Sequence, residues 1–176
     1  MRIISSREYN SIIMPVDAPS IADGVMADLT AQEYSLKEEG HITLLPREIG
    51  EQLNDTEFTY LAQRLLAFDD PDAIIRYGDL YEISKPKVSK DGTEYERQSL
   101  VSPVSIPKIA SFMSSVVGEH GMGGYFDVAD IPFHCTIAVK PDNPYAKRGI
   151  GIASRKEWVN LHPQRFNIKP WLADSR

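Results

Sequence analysis

The chain has 176 residues, of which 42% are hydrophobic and 25% charged, with a net charge of −6 and one cysteine. That length suits one domain or one compact two-lobed unit, burying about 70% of its unfolded surface without a disulfide or metal staple. A single cysteine excludes an intramolecular disulfide and suits a reducing compartment. The apolar runs are too short for a membrane span, and MRIISSREYN lacks a signal peptide's hydrophobic region, so a cytoplasmic protein without membrane contact is expected.

In chain order, SIIMPVD (11–17) reads as a short strand, and residues 19–39 as a short helix with a mobile loop. HITLL follows Gly40 as a second strand. From Pro46 to Phe68 the pattern is helical, with Asp55 or Thr56 as N-cap and Phe58, Leu61, Leu65 and Leu66 at helical spacing. AIIRYGDLYEIS and ERQSLVSPVSI read as strands, joined through KPKVSKDGTEY, whose Asp91-Gly92 is the strongest hairpin signal present. Pro107 lies near the first turn of a helix running through Val117, with Gly118 and Gly121 near its end.

GMGGY (121–125) lacks both the Lys-Ser/Thr of a P-loop and dinucleotide-site spacing, so it reads as a flexible connector. FHCTIAV is another strand, KPDNPYAKRGIG carries turn chemistry, and ASRKEWVN reads as a helix before an extended tail. Charge is unevenly spread. From Lys140 onward there are eight Lys/Arg and three Asp/Glu, a balance of +5, against −11 for residues 1–139. So acidic a body does not suit a long nucleic acid, whereas a small nucleotide-like anion met by local cations is compatible.

The chemistry concentrates in a pair of motifs. Two of the four histidines are followed two residues later by threonine: His41 with Thr43 in HITL, and His134 with Thr136 in HCTI. In a strand the alternation places His41, Thr43 and Leu45 on one face, and His134, Thr136 and Ala138 on one face of the other run. Each strand thus offers an imidazole and a hydroxyl on a wall whose back is buried, and two such walls facing each other make a phosphate site. Histidine titrates near neutrality, so one ring can accept a proton while the other donates one. The threonine hydroxyls can donate to non-bridging oxygens as charge develops there.

A metal is the other use of two histidines. His-x-Thr supplies one good ligand per strand and no carboxylate partner, so neither metal nor cofactor is expected. His120 lies at a helix end in no comparable motif and reads as a surface residue, and Cys135 among aliphatics reads as core packing. Tyr9 and Trp158 are candidates for stacking on bases, with Arg47 and Lys140, just past the motifs, as phosphate cations.

The two His-x-Thr motifs, and the order strand motif, helix, hairpin, helix, strand motif, resemble the 2H phosphoesterases. The likeness covers roughly residues 10–140 in layout, with only the two tetrapeptides specific. It implies a bilobal α+β fold over residues 1–140, two antiparallel sheets forming a cleft with outer helices; residues 141–176, which the family pattern does not explain, read as a basic C-terminal extension packed on or near that cleft. It implies His41, Thr43, His134 and Thr136 as catalytic residues of a metal-independent phosphodiesterase. The small size and acidic body are similar to the phage-encoded anti-CBASS branch, which cleaves cyclic oligonucleotide immune signals in the host cytoplasm. The expected partner is then a small cyclic or oligomeric nucleotide. A 2',3'-cyclic phosphodiesterase of RNA ends and a non-cleaving nucleotide sponge are the alternatives, and a homo-oligomer whose tail covers a neighbour's cleft is compatible with the chain.

Overall fold

The computed structural model describes residues 2–70, 72–140, 149–166 and 170–173. The first strands, β1 (Ile4–Ser6) and β2 (Ser11–Asp17), form a hairpin, followed by helix α1 (Asp23–Ala31). Next come β3 (Ser35–Leu36) and β4 (Glu39–Leu45), the strand of the first motif. The helix expected between Pro46 and Phe68 is two, α2 (Arg47–Gly50) and α3 (Asp55–Leu66). Asn54, rather than Asp55 or Thr56, caps α3. Its side chain accepts from the Glu57 N–H at 2.8 Å while Glu57 accepts from the Asn54 N–H at 3.0 Å, a reciprocal pair that only Asn54 can make with Glu57 three residues on. Phe58, Leu61 and Leu65 are buried as their spacing requires, whereas Leu66 is 54% exposed.

Strand β5 (Arg76–Tyr77) is short, and β6 (Tyr81–Val88) and β7 (Glu94–Ser105) form a hairpin turning through Gly92 at φ 85°. Its arms reach further into KPKVSKDGTEY than the composition suggested. Pro86 is accommodated because, among the described residues, β6 is bonded on its outer side only at Tyr81 and Glu82, leaving the rest an edge. Helix α4 (Pro107–Glu119) begins on Pro107, and the GMGGY connector contains a 3-10 turn (Met122–Gly124) whose Met122 is wholly buried. β8 (His134–Val139) carries the second motif, and α5 (Arg155–Asn160) and β9 (Gln164–Arg165) complete the described elements.

Where two sheets were expected, hydrogen bonding joins the strands into one path, β1-β2-β4-β8-β7-β6-β9, with β3 on β8 and β5 on β7. Among the described residues all the strand pairings are antiparallel, so the class is α+β. The main core lies between this sheet and helices α1, α3 and α4, and includes Val25, Leu29, Ile42, Leu61, Leu100 and Val116. Each such aliphatic contributes about 1.5–3 kcal/mol by leaving water. A smaller core of Ile83, Val101, Ile150 and Ile152, with Tyr81, Trp158 and Leu161 against it, is distinct from this main core.

Described residues after Lys140 are integrated into the body. Trp171 is buried and donates its indole N–H to the Gly78 carbonyl at 2.7 Å, and Leu172 bridges Ile21. The turn read at residues 141–148 lies outside the described residues. No helix among the described residues is long and apolar enough to cross a membrane.

Candidate functional site

The two motif strands do not face each other across a cleft. They are neighbours in one sheet, running antiparallel with Ile42 directly opposite Cys135. That register sets His41 across from Thr136 and Thr43 across from His134, giving the four side chains a local two-fold arrangement. Ile42 and Cys135 point back into the main core, with 0% and 1% exposure. Cys135 therefore packs rather than reacts, and its burial pushes the thiol up to about 11.

Each motif is followed at once by a β-bulge. Thr43 pairs with Ile13 but Leu45 pairs with Ile12, so Leu44 is the extra residue. On β8, Thr136 pairs with Val101 and Ala138 with Leu100, making Ile137 extra. A bulge reverses which face the next residue takes. Leu45 and Ala138, expected beside the motif side chains, are instead fully buried in the main core with Ile42 and Cys135. The bulges thus confine the polar face to His-x-Thr.

His41, Thr43, His134 and Thr136 line one cavity of about 280 Å3, together with Lys37 and the segment Gly149–Gly151. Lys37 lies in the connection between β3 and β4, held against β8 by its backbone N–H donating to the Ile137 carbonyl at 3.0 Å. Gly149 approaches so closely that a Cβ there would lie 2.5 Å from Thr136 Oγ1 and 3.2 Å from its Cβ.

The two imidazoles differ in setting. His134 Nδ1 lies 2.8 Å from the Pro132 carbonyl. A carbonyl only accepts, so Nδ1 carries a proton and Nε2 is the ring's exchangeable nitrogen. Burial holds the His134 pKa below the ordinary imidazole value, opposed by hydrogen bonds to the backbones of Pro132 and Ile150 and by the charge of Glu157. His41 also titrates low. Although its residue reaches solvent, partial desolvation lowers its pKa first, and the nearby positive charges of Lys37 and His134 act the same way.

The other expected contacts divide. Trp158 is half-buried, its ring edge-on to Tyr81 at 5.6 Å, and lines a smaller cavity of about 140 Å3 that shares His134 with the main one. Tyr9 does not join the site: it is 62% exposed in the turn between β1 and β2, whose Asn10 abuts α2. Arg47 is carried away where Pro46 ends β4 and α2 begins, and it pairs with Glu51 at 2.8 Å. Lys140 is turned by the Ile137 bulge towards the main-core face, where its Nζ sits 4.9 Å from the centroid of the Tyr34 ring.

Two components went unread in the sequence. Lys37 could have been noticed as a cation four residues before His41 in an otherwise acidic stretch, and Gly149 and Gly151 as small residues permitting close approach. Among the described residues, no group of three or more His, Cys, Asp or Glu is placed to hold a metal ion. Comparison with family models, curated proteins and solved structures returned no match for this chain.

Proposed function

We propose that the protein is a phosphodiesterase of the two-histidine type, acting on small cyclic or oligomeric nucleotides. The observation that carries this reading is the convergence of both complete His-x-Thr pairs and Lys37 on one cavity. The two bulged motif strands, side by side at the centre of the sheet, are compatible with a bilobal 2H phosphoesterase-like fold whose lobes share one continuous sheet.

In this mechanism a phosphodiester lies over β4 and β8. His41, whose imidazolium is disfavoured by desolvation and by the charges of Lys37 and His134, serves as base and takes the proton of a 2'-hydroxyl or water. His134, whose backbone partners and Glu157 favour the charged ring, donates a proton to the leaving oxygen. Thr43 and Thr136 donate to the non-bridging oxygens, and the Lys37 ammonium offsets their charge. Attack by a 2'-hydroxyl on a 3'-5' linkage breaks that linkage and gives a 2',3'-cyclic end first.

The test is incubation with cyclic dinucleotides, cyclic trinucleotides and nucleoside 2',3'-cyclic phosphates in EDTA, with products separated by chromatography. Linear products are expected. Intact ligand recovered after denaturing the protein identifies a sponge, and turnover of the 2',3'-cyclic phosphates alone identifies an enzyme of RNA ends. The pH profile follows from the two lowered histidines. Activity requires one neutral and one charged ring, so kcat/KM is bell-shaped with its maximum on the acid side of about 6.5, falling by pH 8 as the acid loses its proton. A maximum well above neutrality contradicts the assignment.

Gly149→Ala probes the cavity wall. Its Cβ would press on Thr136 Oγ1, so either the hydroxyl or the wall must move. Turnover is expected to fall about 10- to 100-fold, on the scale of a misplacement near 1 Å. Full activity would show that Thr136 is not required in its observed position.

A further inference from the structure

The motif cavity has a second cavity beside it at His134. Its volume of about 280 Å3 lies just below the range of about 300–1,000 Å3 in which complete small ligands are held. His134 also lines the cavity of about 140 Å3 beside Trp158, and that cavity shares Val104, Ile131, Phe133 and Arg155 with an open groove of about 380 Å3. The groove runs along the first turns of α4, where Ser111 and Ser114 are exposed on its rim. The three spaces are thus neighbours, the first two sharing His134 and the second two sharing four residues, and together they mark a track leading away from the motifs.

We infer that this track is the seat of a second nucleotide of the substrate, with a phosphate on Arg155 and a base over Phe133 beside the α4 hydroxyls. The inference rests on the phosphodiesterase reading and narrows it to substrates of at least two nucleotides. The chemistry of the track fits such an occupant. Arg155 donates from Nε to the Ala129 carbonyl at 2.7 Å, which anchors the guanidinium and leaves its terminal N–H groups as donors. Among the described residues no carboxylate forms an ion pair with it, in a chain whose first 139 residues are strongly acidic.

The floor of the groove supplies the other half of nucleotide recognition. Phe133, half-buried, and Ile131, 2% exposed, both line the groove and give it an apolar surface for a base. The serine hydroxyls can both donate to and accept from base edges, so they permit more than one base. A nucleoside 2',3'-cyclic phosphate would fill the motif cavity alone and leave the track empty.

The test compares Arg155→Ala, Arg155→Lys and Ser111→Trp with the unaltered protein, on a linear RNA trinucleotide and on a nucleoside 2',3'-cyclic phosphate. Arg155→Ala should raise KM for the trinucleotide roughly tenfold or more, with a much smaller effect on the cyclic mononucleotide, and Arg155→Lys should recover part of the loss. Ser111→Trp, which fills the groove from an exposed helix position, should show the same substrate bias. Equal effects on both substrates, or none on either, overturn the inference. If the unaltered protein cleaves only one of the two or neither, fluorescence titration with a non-cleavable trinucleotide decides the groove independently: weaker binding in Arg155→Ala and Ser111→Trp supports it, equal affinity overturns it. Failure of all cleavage counts against the phosphodiesterase reading alone.

Discussion

Alanine at position 134 is expected to lower phosphodiester turnover by about 100- to 10,000-fold, the usual scale for losing a positioned proton donor. Alanine at position 41 should do likewise, and the double variant should be little worse than either single one, because in the proposed mechanism the two rings act in one proton transfer sequence. Neither change should unfold the protein. His41 is exposed, and His134 is half-buried with its ring bonded to the Pro132 carbonyl rather than packed in the main core. The measurement is steady-state turnover of a cyclic dinucleotide alongside a thermal melt. Near-normal turnover in either folded variant removes that histidine from the chemistry and, with it, the two-histidine mechanism.

Gly50→Ala should be the most damaging small substitution for stability. A Cβ on Gly50 would lie 1.8 Å from the Asn10 carbonyl oxygen and 2.7 Å from its carbon, a clash with backbone that no rotamer relieves. Nor can the turn easily step aside. Asn10 holds a left-handed φ of 50°, and Arg7 clamps the turn onto this region by donating to the Gly50 carbonyl at 3.0 Å and the Leu53 carbonyl at 2.9 Å. Its guanidinium also stacks 4.9 Å from the Phe58 ring centroid and pairs with Asp55. Overpacking against such a held backbone should cost about 2–4 kcal/mol, lowering Tm by roughly 5–15 °C. An unchanged melting temperature would mean that the β1–β2 turn separates freely from α2. The turn does not line the motif cavity, so the residual folded fraction should keep its kcat.

Much of the local structure was readable because it depends on neighbours in sequence. Phe58, Leu61 and Leu65 mark one face of α3, Asp91-Gly92 sets the hairpin, Pro107 starts α4, and the apolar alternation around each His-x-Thr marks β4 and β8. The identity of the motif residues follows from the same local logic. Smaller departures were also local in cause: the N-cap fell on Asn54 because Glu57 stands three residues beyond it.

What only the tertiary structure decided depends on contacts between distant residues. Period-2 alternation cannot show that β4 and β8 lie side by side, since Ile42 meets Cys135 through pairing of strands far apart in the chain. Nor can it show a bulge, which is an extra residue relative to a partner strand and so has no meaning within one strand. Those two bulges buried Leu45 and Ala138 and turned Lys140 to the opposite face from the cavity. Lys37, Gly149 and Arg155 entered the picture for the same reason. Each lies outside the two motifs, and only tertiary contacts bring Lys37 and Gly149 to the motif cavity and Arg155 to the neighbouring one: a residue's type sets what chemistry it can offer, but the fold sets where it offers it.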